Sequence, residues 1–451
     1  MTTLTDPRQA KAFRFVRRHY ADGVAELVYA FDDGPELVER ILFPGGKSVH
    51  VEPAALDAAL DLLHLIAGIS YYKAGVPGEI RVESCAIDMP TAGFLDTLYL
   101  QGLGEFAYHN KLDLRDRIRF PLSPDQQNRT GDVARARTAM PRRTLVPIGG
   151  GKDSLVSVEL LKAAGEDVTA VWIGNSSLIA SCAARTALPM LNIGRELSPR
   201  LFEMNRVGAY NGHIPVTAVN SAILVVAAVL YGFEAIAFSN ERSASSATLE
   251  YDGQPVNHQW SKSWAFEQAF RGRLHALVDA GLDYYSLLRP LSELAVAARF
   301  ARNSRYDDVF SSCNRNFRIL GPRPADRWCG QCPKCHFVFL ALAPFMPKPR
   351  LMGIFGRNLL DDEAQAAGFD ALMEYRDHKP FECVGEASEA RAAMHALSER
   401  AEWREDALVR RFRREILPQL GTSALALEPW LHAAGEHHVP PRLMALIDAY
   451  R

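Results

Sequence analysis

The sequence predicts an α/β protein: a parallel-sheet domain over residues 136–350, preceded by an α+β domain over 1–135 and followed by a helical region over 351–451. Three observations carry this. From Thr144, short apolar runs alternate with helical patterns, the rhythm of a parallel sheet with crossover helices. Before that point the strands sit close together, as in a hairpin, and helices follow them. After about residue 350 the chain is rich in Ala, Glu and Arg and lacks strand-like alternation.

In the first region, Val24–Phe31 reads as a strand ending in the turn Asp32-Asp33-Gly34-Pro35, with Glu36–Phe43 as its antiparallel partner. Residues 53–67 have helical periodicity, with Leu56, Leu60, Leu63, Leu65 and Ile66 on one broad face. Residues 92–108 form a second helix candidate, and the polar, arginine-rich stretch 130–143 reads as a linker. In the central region, Leu145–Ile148 and Val168–Ile173 read as buried strands, the second following a helix capped by Gly165. A helix over 177–187 and a strand over 190–193 come next. Residues 216–232 carry no charge and approach the length of a membrane span. Asn220 and Ser221 interrupt the run and polar motifs flank it, so a buried helix leading into the strand Ala235–Phe238 is the reading adopted.

The stretch with the most chemistry is Gly149-Gly150-Gly151-Lys152-Asp153-Ser154, placed between a strand and a helix. Glycines let backbone N–H groups face an anion. The N-terminus of the following helix adds free N–H groups and its positive dipole end. Lys152 is expected to supply a mobile positive charge, and Asp153 to hold the loop or a Mg²⁺ ion. The spacing is not that of a Walker loop.

A second cluster is Cys329-Gly330-Gln331-Cys332-Pro333-Lys334-Cys335, with Cys313 upstream. Four thiolates from two short segments suit a structural Zn²⁺, with an iron–sulfur cluster as the alternative. Cys85, Cys182 and Cys383 carry no spacing signal and read as core or surface thiols. Three further polar stretches border the core elements. His213 lies in Asn211-Gly212-His213-Ile214-Pro215, before the apolar helix. Ser239-Asn240-Glu241-Arg242 follows a buried strand, where ligands of parallel sheets bind. His258 and Lys262 lie in Asn257–Trp264, ahead of a helix over 266–279. His213, His258, Lys262 and Glu241 are the candidate acid–base groups, and Asn240 and Arg242 the candidate substrate contacts.

The glycine stretch resembles the PP-loop of the N-type ATP pyrophosphatase superfamily, S-G-G-x-D-S. Gly150, Gly151, Asp153 and Ser154 match it, while Gly149 stands in place of the first serine and leaves a backbone N–H there. The cysteine run resembles one found in 7-cyano-7-deazaguanine synthases of that superfamily. With His378-Lys379-Pro380-Phe381-Glu382-Cys383-Val384-Gly385-Glu386 added, the whole order resembles a family of bacterial peptidoglycan-precursor epimerases. The resemblance implies an adenine nucleotide alpha hydrolase-like fold, ATP bound by Gly149–Ser154 and Mg²⁺ as cofactor, beside the structural Zn²⁺ read from the cysteine spacing. It implies inversion of the terminal L-glutamate of UDP-MurNAc-L-Ala-L-Glu to D-glutamate through an acyl-adenylate, releasing AMP and pyrophosphate. Adenylation removes the carboxylate charge, so a positioned base can take the adjacent Cα proton. Another adenylating enzyme of the superfamily, such as a nitrile or amide synthase or a tRNA-modifying enzyme, is the alternative. A non-catalytic ATP-binding sensor is a third.

Composition bounds these readings. A net charge of −2 gives no general attraction to nucleic acid or to anionic membranes. The basic run Arg410–Arg414 reads as a solvated helix face. Seven cysteines, unevenly placed, and no apolar leader point to a reducing cytoplasm.

Overall fold

The computed structural model describes residues 6–46, 51–123, 143–318, 322–421 and 425–449. Its frame is one mixed sheet of nine strands in the order β11-β8-β5-β6-β7-β3-β2-β1-β4. The strands are β1 (Ala12–Ala21), β2 (Val24–Phe31), β3 (Leu37–Leu42), β4 (Glu79–Val82), β5 (Arg143–Pro147), β6 (Asp167–Ile173), β7 (Met190–Glu196), β8 (Ala235–Phe238) and β11 (Asp283–Ser286). A small hairpin, β9 (Leu249–Tyr251) and β10 (Gln254–Val256), stands apart from it.

The strands from β11 to β7 are parallel, as alternating strands and helices require. The expected hairpin forms as β2 and β3, with Val28 opposite Val38. The sequence reading missed that β3 pairs antiparallel with β7, placing Leu42 opposite Gly194. The strands assigned to an N-terminal α+β unit and those of the parallel unit therefore share one sheet. Gly194 permits the approach: a Cβ there would lie 3.0 Å from Leu42 Cβ. The stretch read as a linker, 130–142, lies outside the described residues, and Arg143 already belongs to β5.

Alternation along the parallel strands divides the interior into two cores. Leu145, Ile236 and Tyr284 enter one, and their neighbours Val146, Ala237 and Tyr285 enter the other. The first core is closed by the helices Pro53–Ala67 and Val216–Tyr231, which pack on each other. The uncharged stretch is thus a core helix; most of its side chains are buried. The second core is closed by the helices Lys152–Ala163, Glu293–Ala301 and Pro333–Leu342 and by the helical C-terminal region. The predicted helix over 92–108 breaks at Leu103 into Met89–Gly102 and Gly104–Asn110. The basic run is partly engaged, since Arg411 donates to both carboxylate oxygens of Asp370 at 2.6 and 2.7 Å.

Candidate active site at the carboxyl ends of the parallel strands

A cavity of about 320 Å³ opens beyond the carboxyl ends of β5, β6 and β8, where a parallel sheet leaves unpaired backbone and the helices begin. Gly149, Gly151, Asp153 and Ser154 line one side. Gly150 has φ +85°, a conformation that glycine tolerates and that turns the chain from strand into helix. The helix Lys152–Ala163 has Gly151 at its N-cap and, among the described residues, no side-chain cap, so its first N–H groups face the cavity end of the loop uncapped. These features make the loop an anion site.

Lys152 is not the mobile cation expected from sequence. It is buried, and its ammonium is held between the carboxylates of Asp153 and Glu293. Burial opposes its charge, but Asp153 and Glu293 outweigh burial and raise its pKa. Burial also opposes charge on Asp153, yet Lys152, Lys334 and Lys262 hold its pKa below the ordinary value. Glu293 is pushed up to about 7 by burial, with Asp153 and Glu241 adding to the rise against the pull of Lys152. Glu241 is buried, and its Oε1 has no hydrogen-bond partner among the described residues. Its pKa is raised by burial and by Asp153.

Lys262, Lys334 and Cys383 also line the cavity. Lys262 Nζ lies 3.2 Å from Cys383 Sγ. Burial disfavours the thiolate, but Lys262, His258 and Lys334 outweigh it and put the Cys383 pKa well below that of a free thiol. Behind this pair, Glu105 contacts His258 Nδ1 and lies 3.7 Å from His213 Nδ1. The two imidazoles sit with ring centres 4.3 Å apart. Burial works against charge on both. In His258 the hydrogen-bonded Cys383 and Glu105 overcome it and raise the pKa to about 9. In His213 burial and the neighbouring His258 charge push it down to about 4.

The structure therefore brings the candidate residues into one region, in two layers. Gly149, Gly151, Asp153, Ser154, Asn240 and Lys262 face the cavity, while Lys152, Glu241, His213 and His258 support its walls. Asn240 is also fixed from behind, donating to Ser286 Oγ at 3.0 Å. Arg242 is not on the cavity; its backbone bonds Leu291, and its guanidinium reaches the Pro290 carbonyl at 3.5 Å. Sequence reasoning missed Glu105, Glu293 and Lys334, and it set Cys383 aside as a core or surface thiol. Lys334 was visible as the cation inside the cysteine run. Cys383 had only its place in the motif 378–386.

The four clustered cysteines lie next to this site. Their sulfur atoms all fall within 4.8 Å of one another and can hold a metal ion. Neighbouring pairs are 3.5, 3.7 and 3.9 Å apart. The segment that carries Cys313 also braces the glycine loop, through Ser311 N–H donating to the Gly150 carbonyl at 2.8 Å. Cys335 stands on the first turn of the helix that also carries Lys334.

Residues 4–287 match the family model described as the MurL N-terminal domain, and residues 309–426 the one described as the MurL C-terminal domain. A protein of Xanthomonas oryzae pv. oryzae named UDP-N-acetyl-alpha-D-muramoyl-L-alanyl-L-glutamate epimerase is 59% identical over 98% of both chains. Proteins of the same name from a Micromonospora strain and from Salinispora tropica are 42% and 40% identical. They cover 93% and 89% of this chain and 94% and 88% of their own lengths.

Proposed function

The chain belongs to the MurL family, and from that premise we propose that it is the epimerase of UDP-MurNAc-L-Ala-L-Glu in peptidoglycan precursor synthesis, driven by ATP. Its reaction is adenylation of the terminal carboxylate, inversion at the adjacent Cα, and hydrolysis to the D-glutamyl product, AMP and pyrophosphate. The observation that carries the ATP half is the loop Gly149–Ser154 opening into the cavity on an uncapped helix N-terminus. Backbone N–H groups there suit a diphosphate, and the apolar wall of Val171, Trp172 and Ile173 suits a purine. Lys152 holds Asp153 in place and keeps positive charge beneath the phosphates.

The acidic groups fit Mg²⁺. Asp153, Glu241 and Glu293 offer hard oxygen ligands, and Glu241 Oε1 lacks a hydrogen-bond partner among the described residues. Asp153 and Glu241 are the residues that would hold the ion, which would offset phosphate charge when bound. The cysteines fit a single Zn²⁺ better than a cluster. Tetrahedral Zn–S bonds of about 2.3 Å place sulfurs roughly 3.8 Å apart, close to the 3.5–3.9 Å of three of the sulfur pairs and within the 4.8 Å that bounds all of them. An iron–sulfur cluster would hold them further apart, because its own iron and sulfide atoms intervene. A zinc held there by Cys313, Cys329, Cys332 and Cys335 would be structural, tying the glycine-loop brace to the helix that presents Lys334.

The test is incubation with ATP, Mg²⁺ and UDP-MurNAc-L-Ala-L-Glu, followed by chiral analysis of the released glutamate. D-Glutamate should form with AMP and pyrophosphate, and only when ATP is present. Inversion without ATP would rule out the adenylate, since a free carboxylate leaves the Cα proton too weakly acidic.

A further inference from the structure

We propose that Cys383 takes the Cα proton of the activated glutamate: it lines the same cavity as the glycine loop, with its Sγ 3.2 Å from Lys262 Nζ. The inference rests on the adenylation reading above. Among the described residues, the ionisable side chains lining this cavity are Asp153, Lys262, Lys334 and Cys383. Two are cations and accept no proton in that state. Asp153 is clamped by Lys152 at the phosphate end. Cys383 is left as the anionic lining group that Lys152 does not clamp. His258 and His213, which sequence alone favoured as bases, do not line the cavity. His258 is held by Glu105, and the His213 ring lies tilted against it.

The surroundings suit a thiolate base. Lys262 and His258 stabilise the sulfur anion, and Cys383 in turn supports charge on both. Such a group exists as a thiolate without needing an external proton acceptor. In the step, the Cα–H bond breaks and its proton passes to Sγ. The electron pair moves into the Cα–C bond, and the carbonyl oxygen of the acyl-adenylate becomes an enolate oxygen. Lys262 stays protonated beside that charge. A water on the opposite face gives a proton to Cα, which inverts the centre. The hydroxide left behind takes the proton from the Cys383 thiol through solvent, so the thiolate is restored and no proton is gained or lost.

The experiment uses the full chain with ATP, Mg²⁺ and UDP-MurNAc-L-Ala-L-Glu in D₂O. The parent protein should place deuterium at Cα of the D-glutamyl product. Cys383→Ser and Cys383→Ala should lower that incorporation by roughly 10²–10⁴-fold, the usual weight of a positioned base. Exchange of labelled pyrophosphate into ATP, which reports adenylation alone, should fall far less. A variant that incorporates deuterium within a few-fold of the parent overturns the assignment. A parent that shows pyrophosphate exchange but no Cα deuterium also overturns it, with the adenylation reading intact. A parent that shows neither overturns both.

Alkylation of the parent protein guards against a variant that fails to fold. Cys85 and Cys182 are held as thiols by burial, each pushed up to about 12. Iodoacetamide should therefore modify Cys383 ahead of them, as read by peptide mass. Loss of deuterium incorporation should track that modification one for one. Full modification with incorporation unchanged overturns the proposal.

Discussion

The two ends of the nine-stranded sheet differ in how they hold buried ionisable groups, although His213, Glu241 and Glu293 at the cavity end are pushed toward neutrality by burial as His64 is. At the β1–β2 end, His64 is fully buried between Ser84 Oγ at 3.1 Å and the Val28 carbonyl at 3.2 Å. Burial pushes its pKa down to about 3, although the Val28 carbonyl favours the charged form. Its neighbours are hydroxyls that donate to backbone carbonyls: Tyr29 to His64 at 3.0 Å and Tyr99 to Leu65 at 2.7 Å. At the cavity end, Lys152, Asp153, Lys262, Cys383 and His258 are all held in their charged forms despite burial. The difference lies in the company each group keeps. Apolar surroundings leave neutrality as the cheap state, whereas interleaved opposite charges hold one another ionised. Depth of burial therefore does not separate structural from reactive groups. Charges clustered around an open cavity do.

The strongest way to break this contrast is Lys152→Ala. It leaves the Asp153 and Glu293 carboxylates facing each other without a cation. Removing one partner of a buried pair costs about 3–5 kcal/mol, so urea unfolding should shift to a lower midpoint. AMP formation should fall by roughly 10²–10³-fold, as when a charge-stabilising donor is lost. A variant that makes AMP at the parent rate would remove Lys152 from the nucleotide site.

Cys332→Ser tests whether the site depends on the neighbouring metal knuckle. Losing a structural metal ligand belongs to the small class of changes costing more than about 4 kcal/mol. Metal analysis should give one zinc per parent chain and substantially less in the variant. Adenylation should weaken too, because the brace between Ser311 and Gly150 would slacken. Stoichiometric iron with visible absorbance in the parent would instead favour a cluster.

The two histidines sharpen the comparison through pH. His258 is raised above its unfolded value, so its contribution is complete below about pH 6.5. That contribution is lost as pH rises through about 9. It is worth on the order of 3 kcal/mol. His64 is depressed, so its contribution is present above about pH 6.5 and is lost as pH falls toward about 3. Denaturation across pH should show His258→Gln flattening the alkaline limb and His64→Gln flattening the acid limb. Identical effects on both limbs would dissolve the distinction.

The smallest effect is expected at Gly149. A Cβ there meets nothing within 4 Å among the described residues, and its φ is not in the left-handed region. Gly149→Ser should fold normally and change the KM for ATP by only a few-fold, toward tighter binding, because a hydroxyl joins the backbone donors. A large loss of activity would mean that the loop approaches the phosphate too closely for any side chain.

The sequence by itself determined the parts whose cause is local. The strand Arg143–Pro147, the glycine turn and the helix Lys152–Ala163 are adjacent in the chain, and their residue types dictate that backbone. Three of the four clustered cysteines lie within seven residues, so ligand spacing was readable directly. Helix Pro53–Ala67 and strand Val24–Phe31 formed over the residues their periodicity marked. Tertiary structure alone decided the rest. Nothing near Leu42 or Gly194 announces that they will be opposite one another, because an edge strand's partner is chosen by packing on both faces. Cys383 is 121 positions from Lys262, and Glu293 is 141 from Lys152. A thiol or carboxyl carries no local mark of the cation it will meet. Its charge state, and with it its chemistry, is set only when folding excludes water and places the partner beside it.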